Sequence, residues 1–441
     1  MRLYRFLAAL CVAWPSLAAE EPKSPLTPEA AQSLFRLAPG LRIDLVAAEP
    51  LIESPVACGF DEAGRLWLVE MPDYPNGPPP GQKPQGRIKI LEDRDGDGRY
   101  ETSTVFADNL LFANGVLPWN GGAIVTAAPH IMYLKDTSGD GKADTREILY
   151  EGFSAGNPQL RVSSPILGPD GWIYVANGLR GGDVRRAGQP TAPLLPLGGK
   201  DFRFDLIRDR AEAIPGMGQF GTTFDHWGHR FVCDNRNHLR HVVFPSDPGQ
   251  RNPLLVAGPL VEDTAGPADG PLSSGAKIYP ISRNWTTSNL HAGRFTAACG
   301  IFVEKGGLLP APYAGGAFTC DPTGNLVHLE TLTPHGATYR STPWKDGIEF
   351  LASPDEWFRP VFLTQAPDGA LILIDMYRAV IEHPEFMPTE LKNRPDLMHG
   401  RERGRIWRIA PEDCPPGGTV EHLGRRATPE LVKLLGHDNW C

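Results

Sequence analysis

Short apolar runs recur along the chain, each introduced by the same kind of turn. An Asp or Asn opens the turn, Gly closes it, and a strand with apolar residues at alternate positions follows. The unit runs as Asp61-Glu-Ala-Gly64 before RLWLVE, Trp119-Asn-Gly-Gly122 before AIVTAA and Pro169-Asp-Gly171 before WIYVAN. It returns as Asp225-His-Trp-Gly228 before HRFVCD, Asp321-Pro-Thr-Gly324 before NLVHLE and Ala366-Pro-Asp-Gly369 before ALILIDMY. Asn, Asp and Gly supply the positive φ that tight hairpins need, and a period of two marks half-buried strands. Most copies lie roughly 50 residues apart, a period that suits propeller blades. One blade cannot bury both of its faces, but a closed ring can. The pattern predicts an all-β, six-bladed β-propeller; a seven-bladed ring and a β-sandwich with coincidental turns are the alternatives. The step from Asp225 to Asp321 is 96 residues, which predicts a long insertion or a degenerate copy.

Both ends depart from this texture. Arg2 and Arg5 precede an apolar run from Phe6 to Trp14 and small residues at Ser16, Ala18 and Ala19. That is the layout of a secretory signal peptide over 1–19, so the chain is expected to be exported, to a periplasm or to the outside. No later run is long and apolar enough to predict a membrane span. The propeller is assigned to 34–411 and a linker to 412–427. The segment 428–441 reads as the first helix of a helical, HEAT-like region that is cut short. Thr428 is expected to cap it, with Glu430 two residues later, and Leu431, Leu434 and Leu435 share a face. A short helix docked on the propeller is the alternative.

Composition narrows the classes. The 441 residues include 48 Gly and 44 Pro, about a fifth of the chain, against roughly 12% in an average protein. Helix bundles do not survive so many interruptions. The net charge of −9 and the lack of a basic stripe argue against nucleic-acid binding. Past the leader, six cysteines remain, with no CxxC and no CxxCH. A Cys-rich zinc site and a covalent c-type haem are therefore not expected. Cys299 and Cys320, 21 residues apart around an apolar segment, are the preferred disulfide; two buried thiols are the alternative.

Two acidic segments match each other at a distance of 43 residues. Asp93, Asp95, Asp97 and Glu101 place oxygens at the same offsets as Asp136, Ser138, Asp140 and Asp144. Gly98 and Gly141 allow a sharp turn, and the carbonyls of Arg99 and Lys142 could complete each set. Glu147 could add a carboxylate to the second loop, where the first has Thr104. This is the oxygen chemistry of a hard cation such as structural Ca²⁺. The competing reading is a pair of Asp-Gly turns that bind no metal. Neither loop is followed by an EF-hand helix pattern, so both are expected between strands, away from the ring's axis.

Polar clusters at strand ends are the candidates for an axial site: Arg180-Gly-Gly-Asp183, Asp234 to His241, Asn289 to Arg294, and Asp375 to Arg378 with Glu382 and His383. Loops at one end of a propeller converge on a funnel, and Arg, Asn and His gathered there suit an anionic cofactor or a sugar. Structural ion pairs are the competing use. No GxSxG, HExxH, P-loop or dinucleotide fingerprint occurs.

The stretches FRLAPGLRIDLVAAEPLIESPVACGFDEAGRLWLVEMPDYPNG, GRIKILEDRDGDGRYETSTVFADNL and DEWFRPVFLTQAPDGALILIDMYRAVIEHPEFMP, closed by RGRIWRIAP, resemble a known family. It comprises large secreted planctomycete and verrucomicrobial proteins described as membrane-bound dehydrogenases or haem-binding proteins. The resemblance covers roughly 34–411. It implies a propeller like that of quinoprotein glucose and sorbosone dehydrogenases. It further implies oxidation of a sugar, polyol or polysaccharide-derived small molecule with pyrroloquinoline quinone (PQQ), and a cytochrome c as electron acceptor. Where such proteins carry a stretch like HNTQH, this chain has Gly156-Asn157-Pro158-Gln159-Leu160. Both histidines are absent, so His291 or His238 would have to act as general base. Arg180, Asn237, Arg294 and Arg378 would hold the cofactor. The alternatives are a non-catalytic propeller that binds carbohydrate or protein, and a polysaccharide lyase or hydrolase on the same scaffold.

Overall fold

A computed structural model describes residues 23–252, 254–255, 258–265, 276–283, 293–383, 385–387, 389, 395–415 and 422–436. The expected signal peptide at 1–19 lies outside the described residues. Six antiparallel sheets follow one another along the chain. Blade 1 is built from Pro55–Phe60, Leu66–Glu70, Gly86–Glu92 and Thr102–Leu110. Blade 2 uses Gly115–Trp119, Gly122–Ala127, His130–Lys135 and Thr145–Phe153, widened by Gly182–Arg186 and Leu195–Pro196. Blade 3 uses Ser163–Leu167, Ile173–Ala176, Asp201–Asp205 and Arg210–Ile214. Blade 4 is the smallest, with Thr222–Phe224, Arg230–Val232, Arg240–Val242 and Val261–Asp263. Blade 5 stacks Cys299–Val303, Ala317–Asp321, Leu326–His335 and Leu351–Ala352, and Arg36–Leu37 pairs on its edge. Blade 6 orders Pro360–Gln365, Leu371–Asp375, Arg405–Pro411 and, outermost, Leu41–Ala48.

That last pairing closes the ring. Leu41–Ala48 enters from the start of the chain and pairs with Arg405–Pro411 from its end, with Leu45 opposite Trp407. The first strands of the six blades neighbour one another in a complete circle, blade 6 against blade 1 included. Apolar seams between blades supply the cohesion. Trp67, Ile88 and Val125 fill the seam between blades 1 and 2. Leu149, Val175 and Phe202 fill the next. Phe318, Leu373 and Trp407 join blades 5 and 6, and Ile374, Ile406 and Leu68 join blades 6 and 1. The seams beside blade 4 are thin: Tyr174, Ile214 and Phe224 on one side, and a small group around Phe231, Ile301 and Val303 on the other.

The turn chemistry works as the sequence suggests. Asp61 Oδ1 accepts from the N–H groups of Ala63 and Arg65 at 3.0 Å each. Asp225 Oδ1 accepts from Trp227 at 2.9 Å and His229 at 2.8 Å. Gly64, Gly228 and Gly369 sit at φ of 77°, 85° and 88°, where a side chain would be strained. Five of the six signals are the innermost hairpin of a blade. The fifth, at Asp321, joins the second and third strands of blade 5 instead, and there Asn325 rather than Gly324 takes the positive φ, at 55°. The innermost connection of blade 5 is the longer segment 304–316, and a long insertion, 264–298, separates blades 4 and 5. Together these account for the 96-residue step.

The final helix spans Thr428–Leu434. Its cap is Ala427, one residue before the expected Thr428, so Glu430 stands three residues after the cap. Its Oε2 accepts from the Ala427 N–H at 3.0 Å, which is half of a capping box. On the expected face Leu431 and Leu435 are exposed and Leu434 is half-buried. No helix among the described residues is long and apolar enough to cross a membrane.

Cys299 and Cys320 face each other in register on neighbouring strands of blade 5, but they are free thiols, not the expected disulfide. Directly opposed strand residues hold their Cβ atoms about 4.5–5.5 Å apart, wider than the roughly 3.8 Å of a disulfide. The Cys299 thiol turns instead to the Pro360 carbonyl at 3.9 Å. Cys58, Cys233 and Cys414 are also free.

Candidate functional site

The innermost strands all begin near the axis, and the residues at or just before their starts enclose a cavity of about 140 Å³. Val56, Asn114, Ser163, Phe220, Cys299 and Val361 come one from each of the six blades. Ser164, beside Ser163, holds φ at 54°, a strained conformation for a non-glycine residue that costs on the order of 1–3 kcal/mol. Several wall polar groups are already tied. Asn114 Oδ1 accepts from Thr126 Oγ1 at 2.8 Å, and the Asn235 N–H donates to Gln219 Oε1 at 3.1 Å.

Loops supply a polar cap. Gln159 Nε2 donates to Tyr74 Oη at 2.6 Å and to Glu382 Oε1 at 3.2 Å. The Tyr74 hydroxyl donates to the Ile381 carbonyl at 2.6 Å, and Glu382 Oε1 also accepts from the His383 N–H at 2.8 Å. Burial pushes the Glu382 carboxyl above the usual carboxylate range, against the opposing pull of the His383 N–H, Gln159 and the His383 ring. Burial also pushes the Tyr74 hydroxyl up. The cap can therefore exchange hydrogen bonds with a ligand's hydroxyls, and Glu382 is a carboxylate able to take a proton. Glu382 belongs to a cluster singled out from the sequence. Tyr74 and Gln159 do not, although Gln159 lies in the segment Gly156–Leu160 to which the resemblance drew attention.

The expected cofactor ligands are elsewhere. Arg378 is fully buried and occupied: it donates to the Tyr74 carbonyl at 2.5 Å, to Ser54 Oγ at 2.8 Å and to the Pro72 carbonyl at 3.1 Å. Arg180 is exposed outside the cavity wall. Asn237 donates through Nδ2 to Asp234 at 2.9 Å, and Arg294 lies in a bridge with Lys277; neither lines the cavity. His238 is 1% exposed, stacks on Phe295 and approaches Glu330 at 3.2 Å, so it is not placed as a base over the axis. His291 lies outside the described residues.

Both acidic loops join the third and fourth strands of a blade, in blades 1 and 2. Asp93, Asp95, Asp97 and Glu101 bring one ligand oxygen each within 4.8 Å of one another. Both loops close on themselves: in the first, Asp93 accepts from the Gly96 and Gly98 N–H groups at 2.7 and 2.9 Å and Glu101 from the Arg94 N–H at 3.1 Å, and the second repeats the pattern. Asp144 accepts from Thr137 Oγ1 at 2.9 Å and the Ser138 N–H at 3.0 Å, and Asp136 from the Gly139 and Gly141 N–H groups at 2.6 and 2.7 Å. These bonds hold the Asp136 and Asp144 carboxyls below their usual range. Ser138 Oγ donates to Asp136 at 3.2 Å, and the Lys142 N–H donates to Asp140 at 2.9 Å. In the first loop the Arg99 N–H donates to Asp97 at 2.7 Å. Glu147 stands on the following strand, 3.8 Å from Arg186, rather than joining the loop.

Fold and site define a closed six-bladed propeller with an apolar axial pocket under a Tyr–Gln–Glu cap. The chain belongs to the family described as DUF7133, a domain of unknown function, whose model matches residues 27–413. Comparison with curated protein sequences returns no match. Among solved structures it is similar to a luciferin-regenerating enzyme, at 8% identity and a TM-score of 0.47, covering 86% of this chain and 99% of that one. It is also similar to the PQQ domain of a pyranose dehydrogenase from Coprinopsis cinerea, at 12% identity and 0.45, covering 85% and 97%. A PQQ-bound aldose sugar dehydrogenase from Streptomyces coelicolor matches at 14% and 0.44, covering 84% and 98%.

PQQ is a polyanion, and a site that holds it needs cations. Among the described residues the cavity wall has no Arg, Lys or His, and its single charged side chain is Glu382. The described lining does not fit that cofactor.

Proposed function

We propose that the axial pocket binds a small uncharged molecule bearing hydroxyl groups, of the sugar or polyol class, and that the chain acts as an exported binding module. The observation that carries this reading is the pocket wall: apolar on most sides, capped by Tyr74, Gln159 and Glu382, and free of cations among the described residues. Apolar walls take the carbon face of a ring, and a few convergent polar groups fix its orientation. Export rests on the leader-like pattern of 1–19, with Arg2 and Arg5 before the apolar run Phe6 to Trp14.

The second reading is a sugar or polyol dehydrogenase that passes electrons to a cytochrome c. It is favoured by Glu382, a buried carboxylate positioned to accept a hydroxyl proton, and by the placement of Pro158 and Gln159 in the pocket wall. For the acidic loops, we propose a structural Ca²⁺ in the first, where four carboxylates converge.

Calorimetry with neutral sugars and polyols, run beside dye reduction with added PQQ and Ca²⁺, separates the two readings. Binding without turnover is expected. Dye reduction would establish the dehydrogenase and overturn the binding module, and failure of every neutral sugar and polyol to bind would sink both.

A further inference from the structure

A second polar cluster lies buried in the thin seam between blades 4 and 5. His328 and Glu330 are two residues apart on the strand Leu326–His335 and so share a face. His238 reaches them from the start of the strand Arg240–Val242 in blade 4. The three are 2%, 1% and 1% exposed. His238 Nε2 lies 3.2 Å from Glu330 Oε2, and His328 Nε2 lies 3.5 Å from Glu330 Oε1. The three ligand atoms fall within 4.8 Å of one another. Yet neither Glu330 oxygen, nor Nε2 of His328, makes an aligned hydrogen bond.

The geometry points to a bound metal ion: we infer that His238 Nε2, His328 Nε2 and the Glu330 carboxylate hold a first-row divalent cation, Zn²⁺ fitting best, across the seam between blades 4 and 5. Ligands on a tetrahedral ion with bonds of roughly 2.1 Å stand about 3.4 Å apart, close to the two spacings seen. Two imidazoles and one carboxylate suit Zn²⁺ and disfavour Ca²⁺ or Mg²⁺. The surroundings have the second layer such sites need. His328 Nδ1 lies 2.7 Å from Glu349 Oε2, and Glu349 Oε1 accepts from the Tyr279 N–H at 2.8 Å. That bond directs Nε2 of His328 towards Glu330. The Phe295 ring lies flat on His238 at 4.5 Å and edge-on to His328 at 5.4 Å, forming an apolar wall. Two neutral imidazoles with the carboxylates of Glu330 and Glu349 balance a dication. The ion would clamp blade 4, whose apolar seams are small, to blade 5.

The test uses the full chain without a histidine tag, stripped with a chelator. Zn²⁺ is titrated by calorimetry, stoichiometry is read by elemental analysis, and Co²⁺ is added as a spectroscopic probe. One equivalent of Zn²⁺ per chain is expected, with a rise in melting temperature that Glu330→Gln abolishes, whereas any rise given by Ca²⁺ at the acidic loop is unaffected by that variant. Co²⁺ should give the intense visible bands of a tetrahedral or five-coordinate site with nitrogen ligands. Glu349→Gln, which leaves all three ligands in place, should weaken Zn²⁺ about 10- to 100-fold, and Glu330→Gln and His328→Gln should weaken it further. If those ligand variants fail to fold, the wild-type Co²⁺ spectrum carries the test alone. A folded, metal-free wild type that takes up neither ion overturns the inference and leaves an ion-pair cluster. So does uptake unchanged in folded Glu330→Gln and His328→Gln.

Discussion

Replacing Trp407 tests how the ring is closed. The side chain is fully buried in the seam between blades 5 and 6. It stands opposite Leu45 of the closing strand and opposite Leu373 on the other side. Phe35 packs edge-on against it at 5.1 Å, and its Nε1–H donates to the buried Asp375 Oδ2 at 3.2 Å. Trp407→Ala removes the ring and leaves a cavity, a loss of about 3–5 kcal/mol. It also takes a donor from Asp375, which adds roughly 1–3 kcal/mol. Asp375 keeps the N–H groups of Arg359 and Tyr377 on its other oxygen, at 2.8 and 3.0 Å, so the lower half of that range applies. The expected total is about 4–7 kcal/mol. Trp407→Phe keeps most of the packing and should cost about 1–3 kcal/mol, chiefly through the lost donor. Urea unfolding followed by circular dichroism reads both, with the slope held against wild type to confirm that the same surface is exposed. The reasoning fails if Trp407→Phe is as damaging as Trp407→Ala, or if both cost under about 1 kcal/mol. The second outcome would mean that the seam beside the closing strand contributes little to holding the ring.

Two further outcomes follow from other parts of the molecule. His241 is 2% exposed, and its burial, with the His229 ring beside it, pushes its pKa down to about 4. A depressed histidine means that the unfolded chain binds more protons between pH 6.5 and 4, so stability is full above that window and falls as the pH drops through it, by up to about 3 kcal/mol. His241→Phe should flatten that dependence in urea midpoints measured at pH 7 and 4.5; an unchanged drop would refute the assignment. At the acidic loops, calorimetry with Ca²⁺ and EGTA should show binding heat that Asp95→Asn or Asp97→Asn abolishes and Asp140→Asn leaves intact. Equal losses would show that the two loops act alike.

The hairpins were legible because their chemistry is local. An Asp that caps its own turn, as Asp61 and Asp225 do, sits within four residues of the N–H groups it satisfies. The displaced fifth signal has a physical reason: the connection 304–316 replaces a tight turn in blade 5, so the next turn along carries the pattern. Ring closure had no such signal. Leu45 and Trp407 meet only because the ends of a 360-odd residue arc come together, and neither strand names its partner. The cap was half legible. Glu382 belongs to a cluster at a strand end, while a phenol and a carboxamide form no motif. The buried cluster was visible in part, since NLVHLE places a His and a Glu on one face of an otherwise apolar strand. What it lacked was His238, which only the seam between blades brings near.

The arginines show why polar residues at strand ends misled. Arg378 holds the carbonyls of Pro72 and Tyr74. Arg359 holds those of Pro322, Arg378 and Ala379, at 2.7, 3.0 and 2.7 Å. These carbonyls belong to the loops that carry Tyr74, Pro322 and Met376 to the pocket wall. A guanidinium has five donors and no acceptor, so it can gather several carbonyls from chain segments that have left their sheets. Each such arginine answers the need of irregular backbone buried away from water. The same residues cannot then also face a ligand. On this scaffold the cations shape the rim, and among the described residues the pocket behind them is left to apolar walls, neutral polar groups and a single carboxylate. Arg378→Met should therefore disturb the pocket through the position of Tyr74, not through lost contact with an anion.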